Sequence, residues 1–75
     1  MTRTEFIIFL SNFRQDLKDN PDKWENKNLS DFLEAMSAYT EDIQGYYDNM
    51  NLSINADEPS WENFMNILKG ASIYE

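Results

Sequence analysis

Apolar residues recur along this chain at the three- and four-residue spacing of a helix in three separate stretches. Phe6, Phe9, Leu10, Phe13 and Leu17 form the first stripe. Leu29, Phe32, Leu33, Met36, Tyr39, Ile43, Tyr46, Tyr47 and Met50 form the second. At about 100° per residue this second set fills an arc of roughly 140°. Trp61, Phe64, Met65 and Leu68 form the third. Leu52 and Ile54 alternate in the stretch between the last two, but two positions do not make a sheet. The pattern predicts an all-α fold. It is a single small three-helix domain, residues 1–75, with a long central amphipathic helix packed against the first and the third.

The residues flanking the stripes predict where the helices begin and stop. Thr2-Arg3-Thr4-Glu5 reads as a capping box, the threonine hydroxyl taking the Glu5 amide and the glutamate reaching back. Asn20-Pro21 ends the first helix, because the residue before proline is pushed out of the α region. Asn28 is a good N-cap for the second helix, with Asp31 in the first turn where the helix dipole favours an anion. Gly45, on the polar side, predicts a kink or an end near that point. Pro59-Ser60 opens the third helix with Ser60 as N-cap. Gly70 fits the left-handed position that closes one. Trp24 is the one large apolar residue between Asp19 and Lys27. It is expected to plug the end of the core with its indole N–H on a carbonyl. Ile7 and Ile8 fall off the first stripe. They either widen the buried face or sit at the centre of a weak homodimer related by a two-fold axis.

Composition removes several classes of chemistry. The 75 residues include no cysteine and no histidine, so neither a disulfide nor the usual zinc ligand is available. A chain this short buries only about 60% of its unfolded surface, and its aromatic side chains must supply the core. Serines are present without a histidine or cysteine to activate them, and no Gly-x-Ser-x-Gly elbow occurs. Two glycines, Gly45 and Gly70, cannot build a phosphate-cradling loop. The acidic loop fails as an EF-hand. A register starting at Asp48 puts Met50 at position 3, which needs an oxygen ligand, and one starting at Asn49 puts Ile54 where glycine belongs. The expectation is a non-enzymatic protein without metal or cofactor. The run Phe6 to Leu10 is too short for a signal sequence and no stretch is long enough to span a membrane, so the expected location is cytoplasmic.

Charge then gives a direction. Between Asn28 and Leu68 there is no lysine and no arginine, while Asp31, Glu34, Glu41, Asp42, Asp48, Asp57, Glu58 and Glu62 are all there. Elsewhere six acids face six bases, so this one segment carries the whole net charge of −8. Such a field draws basic partners and repels nucleic acid and anionic membrane. Asp31, Glu34, Glu41, Asp42 and Asp48 lie opposite the apolar arc of the second helix and are the candidate partner-binding residues. A basic protein is the expected partner, as for acidic immunity or antitoxin proteins that occupy a basic active site. The competing reading is that the acidic face only keeps the protein soluble. A third, from another class, is a small-ligand or enzymatic role at an aromatic cluster of Tyr46, Tyr47 and Trp61.

The elements Asp31-Phe32-Leu33-Glu34-Ala35-Met36, Glu41-Asp42-Ile43-Gln44-Gly45-Tyr46-Tyr47-Asp48-Asn49, Pro59-Ser60-Trp61 and the closing Ile73-Tyr74-Glu75 resemble a family of small bacterial proteins known only as a domain of unknown function. The likeness runs from about Trp24 to Glu75. Members often carry tryptophan near the position of Tyr39, where this chain has another aromatic. The resemblance implies a single-domain unit of bacterial origin and no activity. It also implies that Gly45-Tyr46-Tyr47 and Pro59-Ser60-Trp61 meet across the loop, as a packing clasp or as a shallow aromatic pocket.

Overall fold

A computed structural model describes all residues, 1–75. Three helices follow in order: α1 over Arg3–Asp19, α2 over Leu29–Asn49 and α3 over Trp61–Ile73. A single 3-10 turn, Pro21–Lys23, lies between α1 and α2. The fold is a small all-α three-helix domain.

Each helix starts where its cap residue places it. Glu5 N–H donates to Thr2 Oγ1 at 3.2 Å and Thr2 N–H to Glu5 Oε1 at 2.8 Å, completing the capping box. Asp31 N–H donates to Asn28 Oδ1 at 2.8 Å, and Asn63 N–H to Ser60 Oγ at 3.1 Å. The α2 helix runs past Gly45 to Asn49, since the glycine faces open space and the flanking turns hold it. It is closed off instead by Asn51, two residues past its end and the one non-glycine residue in the left-handed region, at φ 56°. Leu52 N–H reaches Tyr47 O at 2.9 Å and Asn51 N–H reaches Asp48 O at 3.1 Å. That is the paired bonding of a Schellman motif, with asparagine in place of glycine. Gly70 does not close α3. It has ordinary helical geometry, and the helix continues through it to Ile73. Its missing Cβ serves packing: the Tyr39 ring occupies the space a Cβ would take.

α2 and α3 form an antiparallel hairpin, and α1 leans mainly on α3 rather than on α2. The fully enclosed core is correspondingly narrow. Ile43 (1% exposed) and Tyr47 (0%) are its most completely enclosed large side chains, joined by Trp24, Ala35 and Ala71. The apolar arc of α2 is therefore covered only along its middle, and Leu29, Leu33, Tyr46 and Met50 stay exposed. α1 has no buried residue at all. Its phenylalanines extend an aromatic chain instead. Phe6 packs on Trp61 at 5.3 Å between ring centroids, Phe9 on Phe13 at 5.0 Å, Phe13 on Trp24 at 4.5 Å and Trp24 on Phe32 at 6.1 Å.

Three asparagine and glutamine amides fix the connections. Asn63 is 2% exposed. Its Nδ2 donates to Asn55 O at 2.9 Å and Glu58 O at 2.8 Å, and its Oδ1 accepts from Tyr47 Oη at 2.7 Å. Gln44 holds the same loop from the other helix, accepting from Ala56 N–H at 2.8 Å and donating to Ile54 O at 3.1 Å. Asn26 ties the first connection to the end of α3, donating to Ala71 O at 2.9 Å and Tyr74 O at 2.8 Å. A buried amide satisfied on all sides holds a backbone path as a strand neighbour would, without needing a strand.

Candidate functional site

Trp24 is the first of the singled-out residues to find its partner. Its Nε1–H donates to the Asp16 carboxylate at 2.8 Å rather than to a carbonyl, and Asn20 Nδ2 donates to the same side chain at 2.9 Å. These two donors, the indole first, hold the Asp16 carboxyl below the ordinary aspartate value. An ion offers a stronger acceptor to the indole than a neutral carbonyl does, which accounts for the choice.

The five carboxylates of α2 are all exposed, as the arc opposite the apolar side requires. Two are engaged locally: Asp31 accepts from Asn28 Nδ2 at 2.7 Å and Asp48 from Gln44 Nε2 at 3.1 Å. Asp42 accepts from the Tyr74 hydroxyl. That bond first, and then burial and the charges of Asp42 and Glu41, push the Tyr74 phenol above its ordinary value. Glu34 and Glu41 make no side-chain hydrogen bond and form the open part of the acidic face.

Tyr46, Tyr47 and Trp61 do not gather into one pocket. Tyr47 is wholly enclosed, its hydroxyl donating to Asn63 and accepting from Asn66 Nδ2 at 3.0 Å. Tyr46 lies beside it at 6.1 Å between centroids but faces out. Trp61 pairs with Phe6 and Phe64 on α1 and α3. The ends of α2 and α3 do meet across the loop, yet they meet through Tyr47 and Asn63 and not through stacked rings. The separation follows from helix phase: the inward residue of the first turn of α3 is Asn63, two positions past Trp61.

A large hollow lies elsewhere, between α1 and the α2–α3 hairpin. It is a trough of about 1080 Å³. Its α1 wall is Glu5, Ile8, Phe9, Asn12, Phe13 and Asp16, and its far wall includes Tyr39, Tyr46, Lys69, Ile73 and Tyr74. Burial, with the neighbouring Tyr46 and Tyr47, pushes the Tyr39 phenol up, so it stays neutral near pH 7. Ile8 therefore lines the trough, whereas Ile7, about 100° further round the helix, does not. Both are exposed, at 59% for Ile7 and 56% for Ile8. The expectation that the pair widens the buried face does not hold, and the two residues do not share one face. The trough's α1 wall was visible in the sequence only as a second stripe, at spacings of three and four, beside the phenylalanines. Because it mixes Glu5, Asn12 and Asp16 with Ile8, it gave no apolar signal. A smaller hollow of about 160 Å³ lies beside Asp31, Glu34 and Tyr74. No group of three or more carboxylates comes together closely enough to hold a metal ion. No helix is long and apolar enough to cross a membrane.

Comparison with curated proteins and with solved structures returned no match. The chain belongs to a family of unknown function (DUF7660), whose model matches residues 2–75, so the match includes α1, which lies outside the stretch where the sequence resemblance is read.

Proposed function

Membership of a family without an assigned activity leaves the chain's own surfaces as the guide, and we propose that it is a non-enzymatic acidic module that binds a basic protein partner. The proposal extends to a bacterial, cytoplasmic setting and to an inhibitor of the immunity or antitoxin kind. The observation that supports it is the exposure of Asp31, Glu34, Glu41, Asp42 and Asp48 on one side of α2, in a segment with no positive charge from Asn28 to Leu68. Carboxylates left in water at one face speed the encounter with a cationic surface and select for its sign.

The test is capture from native cell extract at graded ionic strength, followed by kinetics with the captured protein. Association should slow as salt rises, since fields from exposed charges fade beyond about 10 Å at 0.1 M salt. The double variant Glu34→Gln, Glu41→Gln breaks no hydrogen bond in the fold and should lower the association rate several-fold. A partner whose binding ignores both salt and these substitutions would refute the proposal.

A further inference from the structure

We infer that the trough between α1 and the α2–α3 hairpin is the seat of an amphipathic helix of the partner, one that is apolar on the side facing in and basic on the side facing out. This rests on the reading of the protein as a binder of basic partners and adds where, and by what shape, the partner is held.

Three observations converge on that occupant. The first is shape. Glu5, Ile8, Asn12 and Asp16 follow one another along α1 at spacings of three and four, so the trough runs the length of the helix instead of closing around one point. Counting Met1, which also lines it, that is about 20 Å. A volume of about 1080 Å³ over that length gives a cross-section of roughly 50 Å². An α-helix about 10–12 Å across has roughly 80–110 Å², so one would sink about half its girth. The second is incomplete burial. α1 has no enclosed residue, Ile8 is 56% exposed and Ile73, on the opposite wall, is 63% exposed. Apolar anchors at three- and four-residue spacing on an incoming helix meet these side chains together with Phe9 and Phe13. The third is charge. The charged side chains of the lining are Glu5, Asp16 and Glu75 against Lys69 alone. The Tyr74 wall passes directly onto the acidic face of α2 through the bond from its hydroxyl to Asp42. A lysine- or arginine-rich outer face thus finds carboxylates along the banks, and a second copy of this chain, itself carrying −8, does not.

The experiment uses the full chain and three synthetic helical peptides of about 18 residues. One is built of leucine and lysine at amphipathic spacing. One has alanine for each leucine, and one has glutamate for each lysine. The Leu/Lys peptide should bind roughly tenfold or more tighter than the Ala/Lys peptide of equal charge. Amide shifts on binding should cluster at Ile8, Asn12, Lys69 and Ile73. Ile8→Asp and Ile73→Asp replace exposed side chains, so the fold should survive, as circular dichroism will show, and each should remove the advantage of leucine over alanine. If the two lysine peptides bind equally and salt weakens both, the acidic reading stands and the trough proposal falls. If neither binds at millimolar concentration, both fall. Equal binding of the Leu/Glu peptide would show an apolar sink without charge selection and overturn the proposal. So would sedimentation as a dimer that Ile8→Asp renders monomeric, because the trough would then hold a second copy.

Discussion

One buried amide ties three groups of the fold together. Asn63 joins the Asn55 and Glu58 carbonyls, in the middle and later part of the loop over residues 50–60, to the Tyr47 hydroxyl, through contacts of 2.7–2.9 Å. Asn63→Asp keeps the shape but replaces the donating NH₂ with an acceptor facing two carbonyls. It should cost about 1–3 kcal/mol, the penalty for a buried polar group left without its partner. A chemical melt checks it, and a variant within a few tenths of a kcal/mol of the parent would remove Asn63 from this role. Such residues are hard to read in advance. Thr2, Asn28 and Ser60 announced themselves because an N-cap bonds within its own three residues. Asn63, Gln44 and Asn26 bond across distances the local pattern does not encode, and in sequence they look like ordinary surface amides.

Among the helices, the two glycines illustrate how one residue type serves opposite ends. Gly45 meets nothing within 4 Å of where a Cβ would lie, whereas at Gly70 that position is filled by the Tyr39 ring. Tyr39 cannot swing away freely, since Tyr74 packs edge-on against it at 5.3 Å. Gly45→Ala should therefore stabilise by up to about 1 kcal/mol through helix propensity. Gly70→Ala should destabilise by about 1–3 kcal/mol through overpacking, despite the same propensity gain. Thermal melts of the two variants should move in opposite directions, and a Gly70→Ala protein that melts above the parent would mean the α2–α3 contact is looser than described. The helices themselves were legible in sequence because periodicity and caps are local. How α2 and α3 approach was not, since a glycine that admits a ring and a glycine that ends a helix look alike until the facing element is known. The same holds for α1: its stripe predicted a buried face, and it lies half-covered because the hairpin beside it offers too little surface.

For the molecule as a whole, α1 and the chain's closing residues are tied down by groups that titrate at opposite ends of the pH scale. Asp16, which anchors Trp24, has its carboxyl lowered from 3.8 by the indole and Asn20. Its contribution is present above that ordinary value and is lost as pH falls through the lower, folded one. Tyr74, which reaches Asp42, has its phenol raised from 10.0. Its contribution is complete below pH 10 and is lost as pH climbs through the raised value. Acid should thus disturb the Trp24 indole N–H resonance before the hairpin core gives way. Alkali should release residues 73–75 first, with the Tyr74 phenol ionising above its ordinary value. Simultaneous loss of both regions at either extreme would argue against two separate ties. Asp42→Asn should leave the acid transition in place and bring the Tyr74 titration down.

The segregation of charge has a consequence for how the molecule meets anything cationic. Residues 1–27 and 69–75 are each balanced, and residues 28–68 hold all eight excess negative charges. The centre of charge is therefore displaced from the centre of mass, and the protein is an electric dipole as well as an anion. A non-uniform field from a basic surface exerts a torque on such a body as well as a pull. It turns during approach, within the reach of about a Debye length, so that the side carrying the excess carboxylates leads. Orientation would then be settled before contact, and the search over wrong faces shortened, by nothing more than where the lysines and arginines are absent.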